Sequence, residues 1–104
     1  MNNINMKIAN INDEVVLMAA DSELIGRELR EGKLHLDVKS EFYGEMKVSE
    51  DTFISSLSIC TIANLVGKRV VSAAINAKYI DPENVIEING IPHAQLVVYF
   101  KSGH

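Results

Sequence analysis

The sequence has no tryptophan, one cysteine and two prolines among 104 residues. A lone cysteine, Cys60, can form no intrachain disulfide and no Cys-rich zinc site. That scarcity favours a reducing, cytoplasmic setting. No apolar run approaches the ~18 residues of a membrane span, and the opening "MNNINMKI" lacks the basic-then-apolar layout of a signal peptide. No membrane association is therefore expected. Positive charge is not in excess: ten Lys and Arg face fourteen Asp and Glu, for a net charge of −4. The molecule as a whole does not attract nucleic acid, although a local basic patch stays open. There is no GxSxG, Walker loop, HExxH or dinucleotide fingerprint. Three histidines, one of them the terminal His104, have no metal-ligand spacing. Neither cofactor, metal nor catalytic residue is expected. Internal repeats, low-complexity tracts and linkers are also missing.

What is present fits one globular domain. Hydrophobic residues make up 47% and charged residues 23%, ordinary values for a folded chain. A domain of this length buries roughly two-thirds of the surface its unfolded chain exposes. That is enough for one core but not for a large enclosed active site. Residues 1–104 read as a single α+β domain, with 100–104 as a flexible tail or an added remnant; His104 is left out of functional reasoning.

Along the chain, Asn12-Asp13 separates two apolar runs. Both residues tolerate positive φ, so residues 5–11 and 14–20 read as an antiparallel hairpin. "DSELIGREL" reads as a short helix capped by Asp21 or Ser22 and weakened by Gly26. "KLHLDV" alternates, with Leu34, Leu36 and Val38 on one face and Lys33, His35 and Asp37 on the other. This is a half-buried strand, for which "FYGEMKV" is the expected partner. Ser49 caps a helix whose first turn carries Glu50 and Asp51. Phe53, Leu57, Cys60 and Asn64 continue it at helical spacing, and Gly67 is its expected stop. A second helix spans about 68–78. "DPEN" is a turn, and Asn89-Gly90 is a strong hairpin signal. A two-residue loop there sets Ile88 opposite Ile91, Ile86 opposite His93 and Asn84 opposite Gln95. The fold class expected is α+β: an antiparallel sheet built from hairpins, with two consecutive helices packed on one face. Because both faces of the last hairpin are apolar, a second subunit is one candidate cover, and a homodimer is expected on that ground.

Candidate site residues follow. His93 and Gln95 project from one strand face about 7 Å apart along the strand, with Tyr99 continuing the row. They serve either to satisfy buried backbone groups or as a contact surface for a partner or polar ligand. Cys60 reads as small core filler. Arg27, Arg30, Lys33, Lys68 and Arg69 would make a phosphate- or RNA-binding patch if they met in space. "TIANLVGKRVVSAA" has the outline of a helix-turn-helix. Its second helix carries too few base-reading side chains, which argues against sequence-specific DNA binding.

Taken in order, "EGKLHLDV…EFYGE", "TIANLVGKRVVSAA" and "DPENVIEINGIPHAQLV", with a looser "DEVVLMAAD" ahead of them, resemble a small archaeal family of unknown function, number four hundred and twenty-four among such families. The likeness spans about residues 6 to 99. It rests on Glu31, Gly32, Phe42, Tyr43, Asn64, Gly67, Arg69, Pro82, Asn84, Gly90, Pro92, His93 and Gln95. It implies a single-domain cytoplasmic protein and supplies no activity. The glycines and prolines have backbone explanations. Asn64, Arg69, His93 and Gln95 do not, and with Tyr43 they form the candidate binding set. The resulting expectation is a non-enzymatic binding module for a protein or RNA–protein partner, in translation or RNA metabolism by analogy alone. The alternative is a small enzyme or polar-ligand binder using His93 with Gln95, Tyr99 or Arg69.

Overall fold

The computed structural model describes residues 2–98. Tyr99, Phe100 and the tail read at 100–104 lie outside the described residues.

Strands β1 (Ile4–Ile11) and β2 (Glu14–Asp21) form the first hairpin. Asn12 and Asp13 take φ of 51° and 68°, the two-residue turn their side chains favour. The expected helix after Asp21 shrinks to one 3₁₀ turn, Ser22–Leu24. Gly26, at φ 93°, then diverts the chain into β3 (Glu28–Glu31). That strand, not "FYGEMKV", pairs with β4 (Leu34–Asp37). "FYGEMKV" divides instead. Phe42 and Tyr43 close the short helix α1 (Ser40–Tyr43), and β5 (Met46–Val48) pairs with β1. Gly44 sits between them because a Cβ there would lie 2.7 Å from the Met6 carbonyl oxygen.

Helix α2 (Glu50–Leu57) starts as expected, with the Ser49 hydroxyl accepting from the Thr52 N–H. It does not continue to Asn64. Ser56 and Ser58 hydroxyls donate to the Thr52 and Ser55 carbonyls, side-chain bonds that compete with helix continuation. Residues Ile62–Val66 form strand β6, parallel to β2. The apparent helical stripe through Cys60 and Asn64 is a coincidence of spacing, because a short apolar run does not separate strand from helix. Gly67 is accordingly the entrance to helix α3 (Lys68–Asn76) rather than a stop. The two larger helices are thus separated by a strand, not consecutive. "DPEN" supplies a 3₁₀ turn at Pro82–Asn84. Strands β7 (Ile86–Ile88) and β8 (Ile91–Val97) close the chain with the expected register, Ile88 opposite Ile91 and Ile86 opposite His93.

The result is α+β. The six-stranded sheet runs β5-β1-β2-β6-β8-β7 and is antiparallel everywhere except between β2 and β6. One face contributes Ile4, Met6, Leu17, Ala19, Ala63, Leu65 and Ala94 to a core shared with Phe53 and Leu57 of α2 and Val70, Val71, Ala73 and Ala74 of α3. The opposite face contributes Met18, Ala20, Val66 and Ile88 to a second core with Leu29 of the β3–β4 hairpin, Val38 just beyond it, and Tyr43 of α1. Asn5, 5% exposed, is satisfied inside this packing by the Ser22 hydroxyl and the Gly44 carbonyl.

Lacking an N–H, Pro92 is expected on an edge strand or on a strand's non-bonded side; β8 lies between β6 and β7, which leaves the second. The Pro92 carbonyl accepts from the Gly67 N–H on the β6 side. In an antiparallel strand a residue's N–H and C=O point the same way, so the missing N–H also faces Gly67. The Gly67 carbonyl already accepts from Val71 in α3, and no ladder bond is forfeited there.

Candidate functional site

Strand pairing brings Asn64, His93 and Gln95 together on the face opposite α2 and α3. Asn64 on β6 stands directly across from Gln95 on β8, and Val66 across from His93. The Gln95 Nε2 donates to Asn64 Oδ1 at 2.9 Å. Asn64 therefore bonds a side chain on the next strand, not the backbone near Gly67 as a helical position would suggest. His93 Nδ1 lies 3.0 Å from the Leu65 carbonyl oxygen. A carbonyl only accepts, so Nδ1 carries the proton and Nε2 is left as the ring's acceptor while the ring is neutral. His93 is half-buried, and that burial holds its imidazole below the ordinary value of 6.5, against a smaller upward pull from the Leu65 bond. His93 thus meets the first of the two uses foreseen for this cluster, satisfying a backbone carbonyl, while Gln95 is exposed. A cleft of about 460 Å³ beside them is lined by Asn84, Ile86, His93, Ala94 and Gln95. Asn84 belongs to the preceding turn rather than to β7, yet reaches the same cleft. Tyr99 lies outside the described residues.

The outer edge of β8 adjoins this row. The Asn89-Gly90 turn makes Ile88 and Ile91 a hydrogen-bonded pair, and the alternation continues along the strand. Backbone groups of residues 91, 93, 95 and 97 then point away from β6, while those of 92, 94 and 96 point toward it. The Gly67 to Pro92 and Val98 to Thr61 bonds fit this phase. Strand β7 pairs only with Ile91–His93. Among the described residues, the outward N–H and C=O groups of Gln95 and Val97 have no strand beside them. Ile86 and Val97 flank the opening at 48% and 51% exposure.

Arg69 belongs to a different place. Strand β2 ends by aiming Asp21 at the start of α3. Asp21 Oδ2 accepts from the Arg69 N–H at 3.0 Å, and Oδ1 from the Val70 N–H at 2.9 Å. This is a helix cap delivered from a distant strand, satisfying otherwise orphaned N–H groups. Burial raises the Asp21 carboxyl above 3.8, and the two N–H bonds oppose that rise. The Arg69 guanidinium turns outward to Glu23, at 3.1 and 3.3 Å. No sequence spacing connects Asp21 to residues 69 and 70. The only trace is Gly67, whose Cβ would overlap the Asp21 carboxylate.

The five-cation patch is brought together only in part. Arg27, Lys68 and Arg69 line one cleft with Asp21 and Glu23. Arg30 sits within β3 and Lys33 in its turn, and neither lines that cleft. Three cations against two carboxylates leave little net positive charge for a phosphate. Tyr43 is corrected from contact residue to core: it is 1% exposed, its ring edge-on to Phe42, and burial pushes its phenol up. Cys60 is a buried thiol donating to the Leu57 carbonyl.

No curated protein matches the chain. A crystal structure of an uncharacterized conserved protein from Methanopyrus kandleri is similar to it, with a TM-score of 0.75 and 22% identity, covering 96% of this chain and 98% of that one. At this identity the likeness speaks for the fold alone. A family model described as a protein of unknown function (DUF424) matches residues 9–99.

Proposed function

The chain belongs to this family of unknown function, DUF424, a membership that names no activity, and from the geometry of its sheet edge we propose a non-enzymatic binding module for a protein partner. One observation carries the reading: the unpaired outer edge of β8 at Gln95 and Val97 lies beside the Asn64–Gln95–His93 row. An extended segment of a partner would add next to β8 beyond the end of β7. Main-chain bonds would supply affinity, and the polar row with Ile86 and Val97 would select side chains.

The enzyme alternative has less support. A catalytic cleft built on His93 needs a second titratable side chain within reach. Among the residues lining this cleft there is none, and Arg69 occupies the other cleft, bound to Glu23. Direct RNA contact is weakened by the same carboxylates and by the net charge of −4. The proposed setting is the cytoplasm, in keeping with a single buried free thiol. No helix among the described residues is long and apolar enough to cross a membrane.

The test uses the whole chain as bait in native lysate, with and without nuclease, alongside Gln95→Pro and Val97→Pro. Each proline removes an outward N–H together with the native side chain, the Gln95 carboxamide bonded to Asn64 or the Val97 isopropyl group, but spares the N–H groups that bond β6, so the β6–β8 pairing survives. The reading expects a nuclease-resistant protein retained by the wild type and lost from both variants, while their thermal unfolding stays cooperative. Capture that ignores both prolines would sink strand addition. Capture abolished by nuclease would move the reading to RNA.

A further inference from the structure

We propose that Glu28, His35 and Asp37 bind a divalent transition-metal ion such as Zn²⁺, independently of the β8 edge. Two registers create the site. In the β3–β4 ribbon Glu28 stands opposite Asp37, and Arg30 opposite His35. Alternation places these four side chains on one face, while Leu29 on the other face is fully buried in the second core. One ligand atom from each of Glu28, His35 and Asp37 lies within 4.8 Å of the other two. His35 Nε2 is 2.8 Å from Asp37 Oδ1. A four-coordinate zinc with bonds of about 2.0–2.2 Å holds its ligand atoms roughly 3.4 Å apart. Small side-chain rotations therefore convert the present spacing into coordination.

The chemistry narrows the ion. One imidazole nitrogen and two carboxylate oxygens suit zinc, cobalt or nickel better than calcium or magnesium, which favour all-oxygen shells. The two carboxylates balance a 2+ charge. The ribbon beneath is already held in place: Gly26 N–H donates to Val38 O at 2.7 Å, Val38 N–H to Arg27 O at 2.9 Å, and Asn89 N–H to the Glu31 carboxylate at 2.6 Å. Little backbone ordering remains to be done when the ion arrives. Among the described residues, the Glu28 side chain makes no hydrogen bond or ion pair, while His35 and Asp37 bond each other. Arg30, on the same face, is the charge that opposes the ion, so its removal should tighten binding. Three protein ligands leave a fourth position for water or a partner's side chain.

The experiment is calorimetric titration of the EDTA-treated full chain with ZnCl₂, paired with the Co²⁺ absorption spectrum. His104→Ala is included throughout, so that the terminal imidazole cannot supply the signal. One saturable site per chain is expected. Glu28→Gln and His35→Gln should each weaken it about tenfold or more, and Arg30→Gln should strengthen it. All three side chains are largely solvent-facing, so unchanged circular dichroism will show that the variants fold. No saturable binding, or binding untouched by both Glu28→Gln and His35→Gln, would overturn the proposal.

Discussion

His93 donates Nδ1–H to a backbone carbonyl from a half-buried position, and that arrangement links one residue to pH. Its folded pKa lies below 6.5, so the unfolded chain takes up the proton first. The stability is present above about pH 6.5 and is lost as pH falls through that value toward the folded pKa. Urea midpoints between pH 7.5 and 5 should decline for the wild type and flatten in His93→Gln. Asp21, shifted upward from 3.8, acts with the opposite sign: its contribution falls as pH rises through its own folded pKa. At the same scale, Gly67→Ala should cost about 2–4 kcal/mol, since φ is 113° and the new methyl meets the Asp21 carboxylate. Asp21→Ala should cost about 1–2 kcal/mol through the lost cap. In the Asp21→Ala background, the Gly67→Ala penalty should shrink to the backbone strain alone, about 1–3 kcal/mol. Denaturant melts of the four proteins close this cycle, and additive costs would rule out the contact.

Elements with a local chemical signal were readable from the residues. Asn12-Asp13 and Asn89-Gly90 dictate turns because their side chains, or lack of one, accept positive φ. Ser49 with Glu50 and Asp51 marks the α2 start because the orphan N–H groups need an acceptor. Gly90→Ala should cost only about 1 kcal/mol, because nothing lies within 4 Å of the new methyl. The β3–β4 hairpin is a different matter. Fully buried Leu29 ties it to the sheet, so Leu29→Ala should cost about 2–5 kcal/mol. Hydrogen exchange in β3 and β4 should rise more than in β6. Uniform loss across the sheet would mean that the hairpin is not a separate unit. The elements misread were those whose identity depends on a distant neighbour. Strand β6 looks helical until β2 and β8 flank it, and β4 pairs with β3 rather than with the next apolar run.

At the scale of the molecule, the expectation of a dimer came from apolar surface on both sheet faces. Most of both faces finds cover within the chain, α2 and α3 on one, the β3–β4 hairpin and α1 on the other, with Ile86 and Val97 left exposed at the β7–β8 end. Sedimentation at tens of micromolar should therefore show a monomer. A dimer disrupted by Gln95→Pro would make a second copy the occupant of the β8 edge. The candidate site follows the same division. His93 and Gln95 could be paired in advance because a strand repeats every two residues and the turn sets its phase. Asn64 was singled out by the family likeness but assigned to a helix, so its bond to Gln95 was not foreseeable. The Asp21 cap was invisible for the same reason, as was the place of Glu28 beside His35 and Asp37, which alternation alone had set on one face. Short-range steric and hydrogen-bonding preferences specify turns, caps and alternation from residues a few positions apart. Which strand lies beside which is settled by burying both sheet faces at once, a condition that no local window of the chain contains.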